Sequence, residues 1–166
     1  SSFGPPTLSQ VKSIEYIMYK FDSLDMITDS LTHMPNVEQL SIDLILVRRD
    51  EEELAGFVRV LGERIRCLSK LSRIRLHGID GDITSIIDIM SHSPGSMQEI
   101  DFGLVTVDGN VLSHYISRLE QLNKLRLASI DFTHGCIKAV LDSIKSKPLV
   151  RLCLNRMDLG EAVHSI

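Results

Sequence analysis

The sequence predicts a repetitive α/β fold in which parallel strands lie side by side and each strand is followed by a helix. One observation is a core of apolar-x-x-apolar-x-apolar residues that recurs six times. Another is the regular interval between copies, which is 26, 34, 26, 25 and 27 residues. A third is that the segments after three consecutive copies carry apolar residues at helical spacing. The copies begin at Val11, Val37, Leu71, Met97, Leu122 and Leu149.

The first repeat is the least regular one. It predicts a strand around Ile14 and Tyr16, followed by a short helix with Ser23 as its candidate N-cap and Pro35 as its stop. The apolar face of this helix is predicted from Leu24, Ile27, Leu31 and Met34.

The second repeat contains the longest interval and therefore predicts the longest helix. A strand around Leu40 and Ile42 is followed by an acidic run, Asp50 to Glu53, at the end of a helix where the dipole favours negative charge. The apolar stripe of this helix is predicted from Leu54, Phe57, Val58, Leu61, Ile65 and Leu68.

Helices three to five share one pattern, with apolar residues at offsets of 0, 3, 4 and 7. The third helix is predicted after Asp82, and the fourth after the turn formed by Asp108 and Gly109. Their apolar faces are Ile83, Ile86, Ile87 and Met90, then Leu112, Tyr115, Ile116 and Leu119, and then Ile137, Val140, Leu141 and Ile144.

This pattern resembles the leucine-rich repeat family, in the ribonuclease-inhibitor-like branch where a helix follows each strand. The resemblance covers nearly all of the chain, and the family motif reads L-x-x-L-x-L-x-x-N/C-x-L. The Asn or Cys position of that motif is occupied here by Tyr19, Ile45, Ile79, Val105, Ile130 and Met157. The polar ladder of the family is therefore missing. The residues that follow this position in three repeats, which we expect to bond turn amides and start the next helix, are Asp80, Asp131 and Asp158.

The resemblance implies a leucine-rich-repeat solenoid of about six repeats, shaped as a horseshoe. Parallel strands stack about 4.8 Å apart whereas helices need roughly 10 Å, so the strands should line the concave face and the helices the convex face. We expect residues 11–166 to form this domain and residues 1–10 to be a lead-in or linker remnant. Neither end resembles a polar capping repeat, so we expect the chain to be a fragment of a longer protein.

Composition limits the classes of function. With 166 residues, 43% hydrophobic content and a mean hydropathy of +0.09, the chain can bury one continuous core. The net charge of −4 argues against a general nucleic-acid binder, which would carry a basic excess. No long apolar run or signal peptide is evident, so no membrane association is expected. Three unpaired cysteines favour a reducing, cytoplasmic location, with the nucleus as an alternative.

The predicted concave face carries the candidate binding residues. Counted from the first apolar residue of each repeat, positions three, five and seven point away from the core. Charge signs at these positions alternate between neighbouring strands, so Glu99 should lie between Arg73 and Lys124. By the same register, Asp101 should lie between two arginines. The predicted partner-binding set is Asp43, Arg73, Arg75, His77, Glu99, Asp101, Lys124, Arg126, Arg151 and Asn155.

Two interpretations of this patch remain open. In one, the ladders of opposite charge only satisfy an exposed sheet, each pair contributing about 0.2–1 kcal/mol. In the other, the patch binds a protein partner, and the excess of basic residues favours an acidic segment, because Arg contacts to carboxylates are directional as well as attractive. Open repeat ends also allow self-association.

The sequence offers no sign of catalysis or of a cofactor. Cys153 is the only cysteine predicted on the concave face, and the nearest histidine there, His77, should lie three strands away, about 14 Å at sheet spacing. That distance is too long for proton transfer. The histidines show no HxxxH or HExxH spacing, and the glycines form no phosphate-binding loop. We therefore expect a protein that is not an enzyme and has no metal or cofactor.

The expected function is that of a non-catalytic protein interaction module, a scaffold or recognition arm. The family resemblance allows two more specific roles, as the substrate-recognition arm of a ubiquitin ligase or as the sensing and autoinhibitory arm of a nucleotide-binding immune receptor. A regulator of a small GTPase is a more remote alternative. A doubly wound α/β enzyme would also alternate strands and helices, but its strands tend to be continuous apolar runs that share no common motif.

Overall fold

The computed structural model describes residues 7–19, 22–44 and 50–156. Within these ranges the chain alternates strictly between strand and helix, as the repeat predicts. The strands are β1 (Ser13–Met18), β2 (Gln39–Leu44), β3 (Arg73–His77), β4 (Glu99–Val107), β5 (Lys124–Phe132) and β6 (Arg151–Asn155). The helices are α1 (Asp25–Leu31), α2 (Glu51–Arg66), α3 (Thr84–Ser91), α4 (Gly109–Ser117) and α5 (Ile137–Ile144).

All six of these strands form one parallel sheet in the order β1-β2-β3-β4-β5-β6. The order never reverses, so the sheet has no switch point of the kind that a doubly wound fold uses for ligand binding. The alternating α/β arrangement with sequentially stacked strands is compatible with a repeat solenoid.

A single hydrophobic core lies between the sheet and the helices, because alternate strand residues and one stripe of each helix are apolar. In β2, Leu40 and Ile42 are buried, whereas Gln39 is exposed and Ser41 is only half-buried. Helix α2 is the longest described helix, as predicted, and buries Leu54, Phe57, Val58, Leu61 and Ile65. The opposite face of the sheet carries the polar strand positions and is called the open face below.

The position that holds Asn or Cys in the resembled motif is part of this core in three repeats. Ile79, Val105 and Ile130 are all buried, so apolar packing occupies the place of a polar ladder. Tyr19 departs from this pattern, since 59% of its surface is exposed. Ile45 and Met157, predicted at the same position, lie outside the described residues.

One backbone feature recurs just before this buried position. Gly78, Leu104 and Ser129, which precede Ile79, Val105 and Ile130, all have positive φ, between 52° and 74°. Only Gly adopts this left-handed conformation without cost. A glycine is required at position 78 for a second reason, because a Cβ there would overlap the Leu44 carbonyl oxygen. The left-handed residue turns the next side chain back into the core.

The helix starts correct two sequence expectations. Ser23 does not cap α1: Leu24 already has helical φ and ψ, and the first N–H groups bond backbone carbonyls instead. Helices α3 and α4 start after Asp82 and Asp108, as predicted, but Asp80, which was also expected to start α3, does not. Asp131 belongs to β5, which runs on to Phe132.

The two capping aspartates accept hydrogen bonds from the first helical amides. Asp82 accepts a bond of 2.8 Å from the Thr84 amide, and Asp108 accepts 2.8 Å and 3.2 Å bonds from the Asn110 and Val111 amides. Asp158 lies outside the described residues. The stop of α1 is also earlier than predicted, since the helix ends at Leu31 rather than at Pro35.

Basic side chains near helix ends tie neighbouring helices together. Arg64 of α2 donates to the Thr28 carbonyl in the last turn of α1, and Arg118 after α4 donates to the Ser91 carbonyl that ends α3. Lys147, after α5, donates to the carbonyl of the last residue of α4 over 2.7 Å. Each cation thus satisfies a carbonyl that the preceding helix leaves without an internal partner.

Candidate protein-binding surface

The parallel register places equivalent residues of the repeats in three rows across the open face. The first row is Ser13, Gln39, Arg73, Glu99, Lys124 and Arg151. The second row is Glu15, Ser41, Arg75, Asp101, Arg126 and Cys153. The third row is Ile17, Asp43, His77, Gly103, Ala128 and Asn155. Every predicted binding residue lies in one of these rows, on the strand and at the position expected.

The first row contains an ion-pair ladder centred on Glu99. Its carboxylate lies 3.5 Å from the Arg73 Nε and 3.1 Å from the Lys124 Nζ. Glu99 therefore stands between two cations on the flanking strands, which confirms the predicted arrangement. All three side chains keep contact with solvent, so each pair stabilises the sheet only weakly.

The second row contains the other predicted ladder, centred on Asp101. The Asp101 Oδ2 lies 3.5 Å from the Arg75 Nε and 3.5 Å from the Arg126 Nη1. The ladder is thus confirmed, but the carboxylate has a third partner that strand order alone did not indicate. The His77 Nε2 donates to the Asp101 Oδ1 over 2.6 Å, from the third row of β3.

The contact between His77 and Asp101 depends on the absence of a side chain at Gly103. His77 and Gly103 are direct neighbours in the third row, and a Cβ on Gly103 would lie 2.6 Å from two atoms of the imidazole ring. The ring therefore occupies the space above Gly103. The sequence signal that could have revealed this contact is a glycine at the position that the parallel register places beside a histidine, here Gly103 beside His77.

Arg75 extends the same network toward β2. Its Nη1 donates to the Asp43 Oδ2 over 3.3 Å while its Nε faces Asp101. Two carboxylates on opposite sides thus hold the planar guanidinium in one orientation. Among the described residues, the contacts join Asp43, Arg75, Asp101, His77 and Arg126 in one network, and Arg73, Glu99 and Lys124 in another.

Electrostatics favour the ionised form of Asp101. Partial burial alone would raise the pKa of this carboxyl, but the hydrogen bond from His77 and the charges of His77, Arg126 and Arg75 outweigh it and hold the pKa below its ordinary value. Because an ionised carboxylate only accepts hydrogen bonds, the His77 Nε2 must carry the proton that it shares.

A shallow groove of about 580 Å³ follows the first and second rows from β1 to β6. On β3 to β6 these rows present five cations, Arg73, Arg75, Lys124, Arg126 and Arg151, against two carboxylates. The groove is therefore locally basic although the chain carries a net charge of −4. Arg151 is exposed and has no ion-pair partner among the described residues.

The β1 and β2 end of the open face has the opposite charge. Glu15 and Asp43 are its two charged residues, and Glu15 is exposed without an ion-pair partner in the described part of the chain. The neighbouring Ser41 hydroxyl oxygen is buried and forms no hydrogen bond. Ile17 adds an apolar side chain that is 46% exposed. The open face is thus polarised along the direction that crosses the strands.

The structure places the remaining reactive groups apart from one another. Cys153 lies on β6 and His77 on β3, which are three strands apart in the sheet. In the described ranges, no cluster of three or more His, Cys, Asp or Glu side chains could hold a metal ion. Likewise, none of the described helices has the length and apolar character needed to cross a membrane.

Comparison with known proteins adds no relative from which a function could be transferred. No protein-family model matches the sequence, and no curated protein matches it significantly. The geometry and charge of the open face are therefore the basis on which a function can be proposed.

Proposed function

We propose that this chain is a non-catalytic interaction module that binds an acidic segment of a protein partner on its open face. The observation that carries the proposal is the excess of five cations over two carboxylates along the groove on β3 to β6, in a chain that is acidic as a whole. A local excess of cations is of no general advantage to an acidic protein. It is an advantage for a surface that attracts and orients carboxylates.

The fixed orientation of the arginines supports recognition of carboxylates in particular. Arg73 and Arg126 each contact one neighbouring carboxylate and Arg75 contacts two, yet 36–47% of the surface of these side chains remains exposed. A guanidinium held in this way loses little conformational entropy when a further carboxylate binds to its free N–H groups. We propose in addition that the strands line the concave side of a leucine-rich-repeat-like horseshoe, because adjacent helices need about twice the spacing of adjacent strands.

A peptide-binding experiment tests this function. We expect a fluorescent oligoglutamate peptide to bind, an oligolysine peptide of equal length not to bind, and the affinity to fall as salt is added. Arg151→Glu should weaken binding about tenfold, the equivalent of about 1.4 kcal/mol. This variant is chosen because Arg151 has no described ion-pair partner whose loss would perturb folding.

Lys70→Glu is the matched control, because Lys70 is exposed but lies outside the three rows and its exchange changes the net charge equally. Equal loss of binding in both variants would show that only net charge matters. Absence of oligoglutamate binding at low salt would refute an acidic partner.

A further inference from the structure

The groove has a long direction and a period, and both restrict the shape of its partner. It is lined by residues of all six strands, but on each strand only by the first and second rows and the residue between them, so it runs across the strands and is narrow along them. Two rows lie about 6.6 Å apart along a strand, whereas the crossing direction spans about 24 Å. A segment that fills this groove must cross the strands in an extended and slender conformation.

The charges along the groove alternate by strand. Cations lie on β3 and β5, and the carboxylates of Glu99 and Asp101 lie on β4 between them. A partner carboxylate placed over β4 would meet like charge, so two partner carboxylates are best placed over β3 and β5. We call such a position above one strand of the groove a station. The stations over β3 and β5 are two strand spacings apart, about 9.6 Å. The partner should therefore present acids at this interval and on one side.

Among regular backbone conformations, polyproline II matches this interval in the available width. Its side chains return to the same side every third residue, about 9.3 Å apart. A β-strand instead returns every second residue, about 6.6 Å apart. An α-helix returns after two turns, about 10.8 Å, but its diameter of about 10 Å exceeds the distance between the two rows.

The same step reaches one further charged residue. Another two strand spacings beyond β3 lies β1, where Glu15 is exposed and has no ion-pair partner among the described residues. The third station of the groove is thus negative. A partner with this period should carry a basic residue there.

Building on the function proposed above, we infer that the open face binds a polyproline II segment of the form acid-x-x-acid-x-x-base, with the acids over β5 and β3 and the base over β1. The inference specifies spacing, order of charge and backbone conformation of the partner. Glu99 and Asp101 on β4 repel partner acids that are more closely spaced and would therefore lie over β4.

Peptides of equal composition test the spacing. The probe is Glu-Pro-Pro-Glu-Pro-Pro-Lys, made in both sequence orders, and its control is Glu-Pro-Glu-Pro-Pro-Pro-Lys, also in both orders. The control moves only the middle acid, so we expect one order of the probe to bind about two- to fivefold more tightly than either control, as one additional exposed ion pair would give. If the probe and the control bind with equal affinity, the proposed spacing of the acids is wrong. Because both peptides would then still bind, the proposed preference for an acidic partner would stand.

A charge exchange tests the third station. Replacing the terminal Lys of the probe with Glu should weaken binding to the natural protein and strengthen binding to Glu15→Lys. If both proteins prefer the same peptide, the terminal base does not contact Glu15 on β1 and its proposed placement is wrong. A helical peptide with two Glu residues seven apart and Ala between them should bind more weakly than the probe, and the opposite result would overturn the polyproline II conformation. Failure of every acidic peptide, oligoglutamate included, would remove the proposed function itself.

Discussion

Asp101→Asn removes the charge at the centre of the larger ion-pair network while keeping the size of the side chain. The change eliminates two ion pairs, to Arg75 and Arg126, and replaces a charged hydrogen-bond acceptor for His77 with a neutral amide. It also leaves two arginines on β3 and β5 without the carboxylate that stands between them. The variant should therefore be less stable than the natural protein.

The magnitude follows from the contacts. A hydrogen bond to a charged group contributes about 1.5–3 kcal/mol, of which the amide oxygen recovers about 1 kcal/mol. The two ion pairs are partly exposed and add about 0.2–1 kcal/mol each. We expect the free energy of unfolding at pH 7 to fall by about 1–4 kcal/mol. For a chain of this size, the melting temperature should fall by about 2–4 °C for each kcal/mol.

The pH dependence gives this prediction a second readout. Because the folded structure lowers the pKa of Asp101 below its ordinary value of 3.8, its stabilising contribution is present above that value and is lost as the pH falls through the lower, folded pKa. The difference in stability between the natural protein and Asp101→Asn should therefore be constant near neutrality and shrink in acid, as the pH falls below 3.8 and through the lower, folded pKa of Asp101.

Urea denaturation at several pH values, followed by circular dichroism, measures both quantities. Asp88→Asn is the matched control: Asp88 also faces a histidine, but at 4.0 Å and with 63% of its side chain exposed. That control should change stability by less than about 0.5 kcal/mol. Equal stabilities of Asp101→Asn and the control at pH 7 would refute the central role of Asp101. So would a difference that persists undiminished in acid.

Three further substitutions test the packing around the open face and the turns. Gly103→Ala should displace the His77 ring, lower stability by about 1 kcal/mol, and shift the imidazole NMR signals of His77. Gly78→Ala should cost about 2–4 kcal/mol in urea denaturation, since its φ is +74° and a Cβ would overlap the Leu44 carbonyl oxygen. Ile130→Asn restores the polar residue of the resembled motif in one repeat only. It should lower the free energy of unfolding by about 3 kcal/mol or more, because the buried amide would have apolar neighbours; a smaller loss would reveal unexpected partners.

Much of the sheet could be predicted because its determinants are local. Strand alternation has a period of two, so Ile100 and Phe102 in β4 fix which neighbours face outward, and the repeat spacing fixes which strand lies beside which. These two facts suffice to bring Glu99 between Arg73 and Lys124. Helix α2 could be predicted in a similar way, because its apolar residues recur at helical spacing over a long segment.

The remaining features depend on side-chain geometry that spacing does not encode. The contact between His77 and Asp101 crosses from one row to another and requires the space above Gly103. Asp80 does not start α3 because this helix begins only at Thr84, and a capping side chain reaches amides just two or three residues ahead of it. Positive φ at Leu104 could not be foreseen, since leucine rarely adopts it.

The strictly sequential strand order has a consequence for mechanics. Each described strand pairs only with those immediately before and after it in the chain, so pulling on the two ends loads the hydrogen bonds of one interface after another. Under tension such a molecule should peel stepwise from an outer repeat inward, and the stations of the groove would be removed one at a time. If the open face binds a peptide as proposed, a stretched molecule would release it gradually, with affinity declining in increments as each strand detaches.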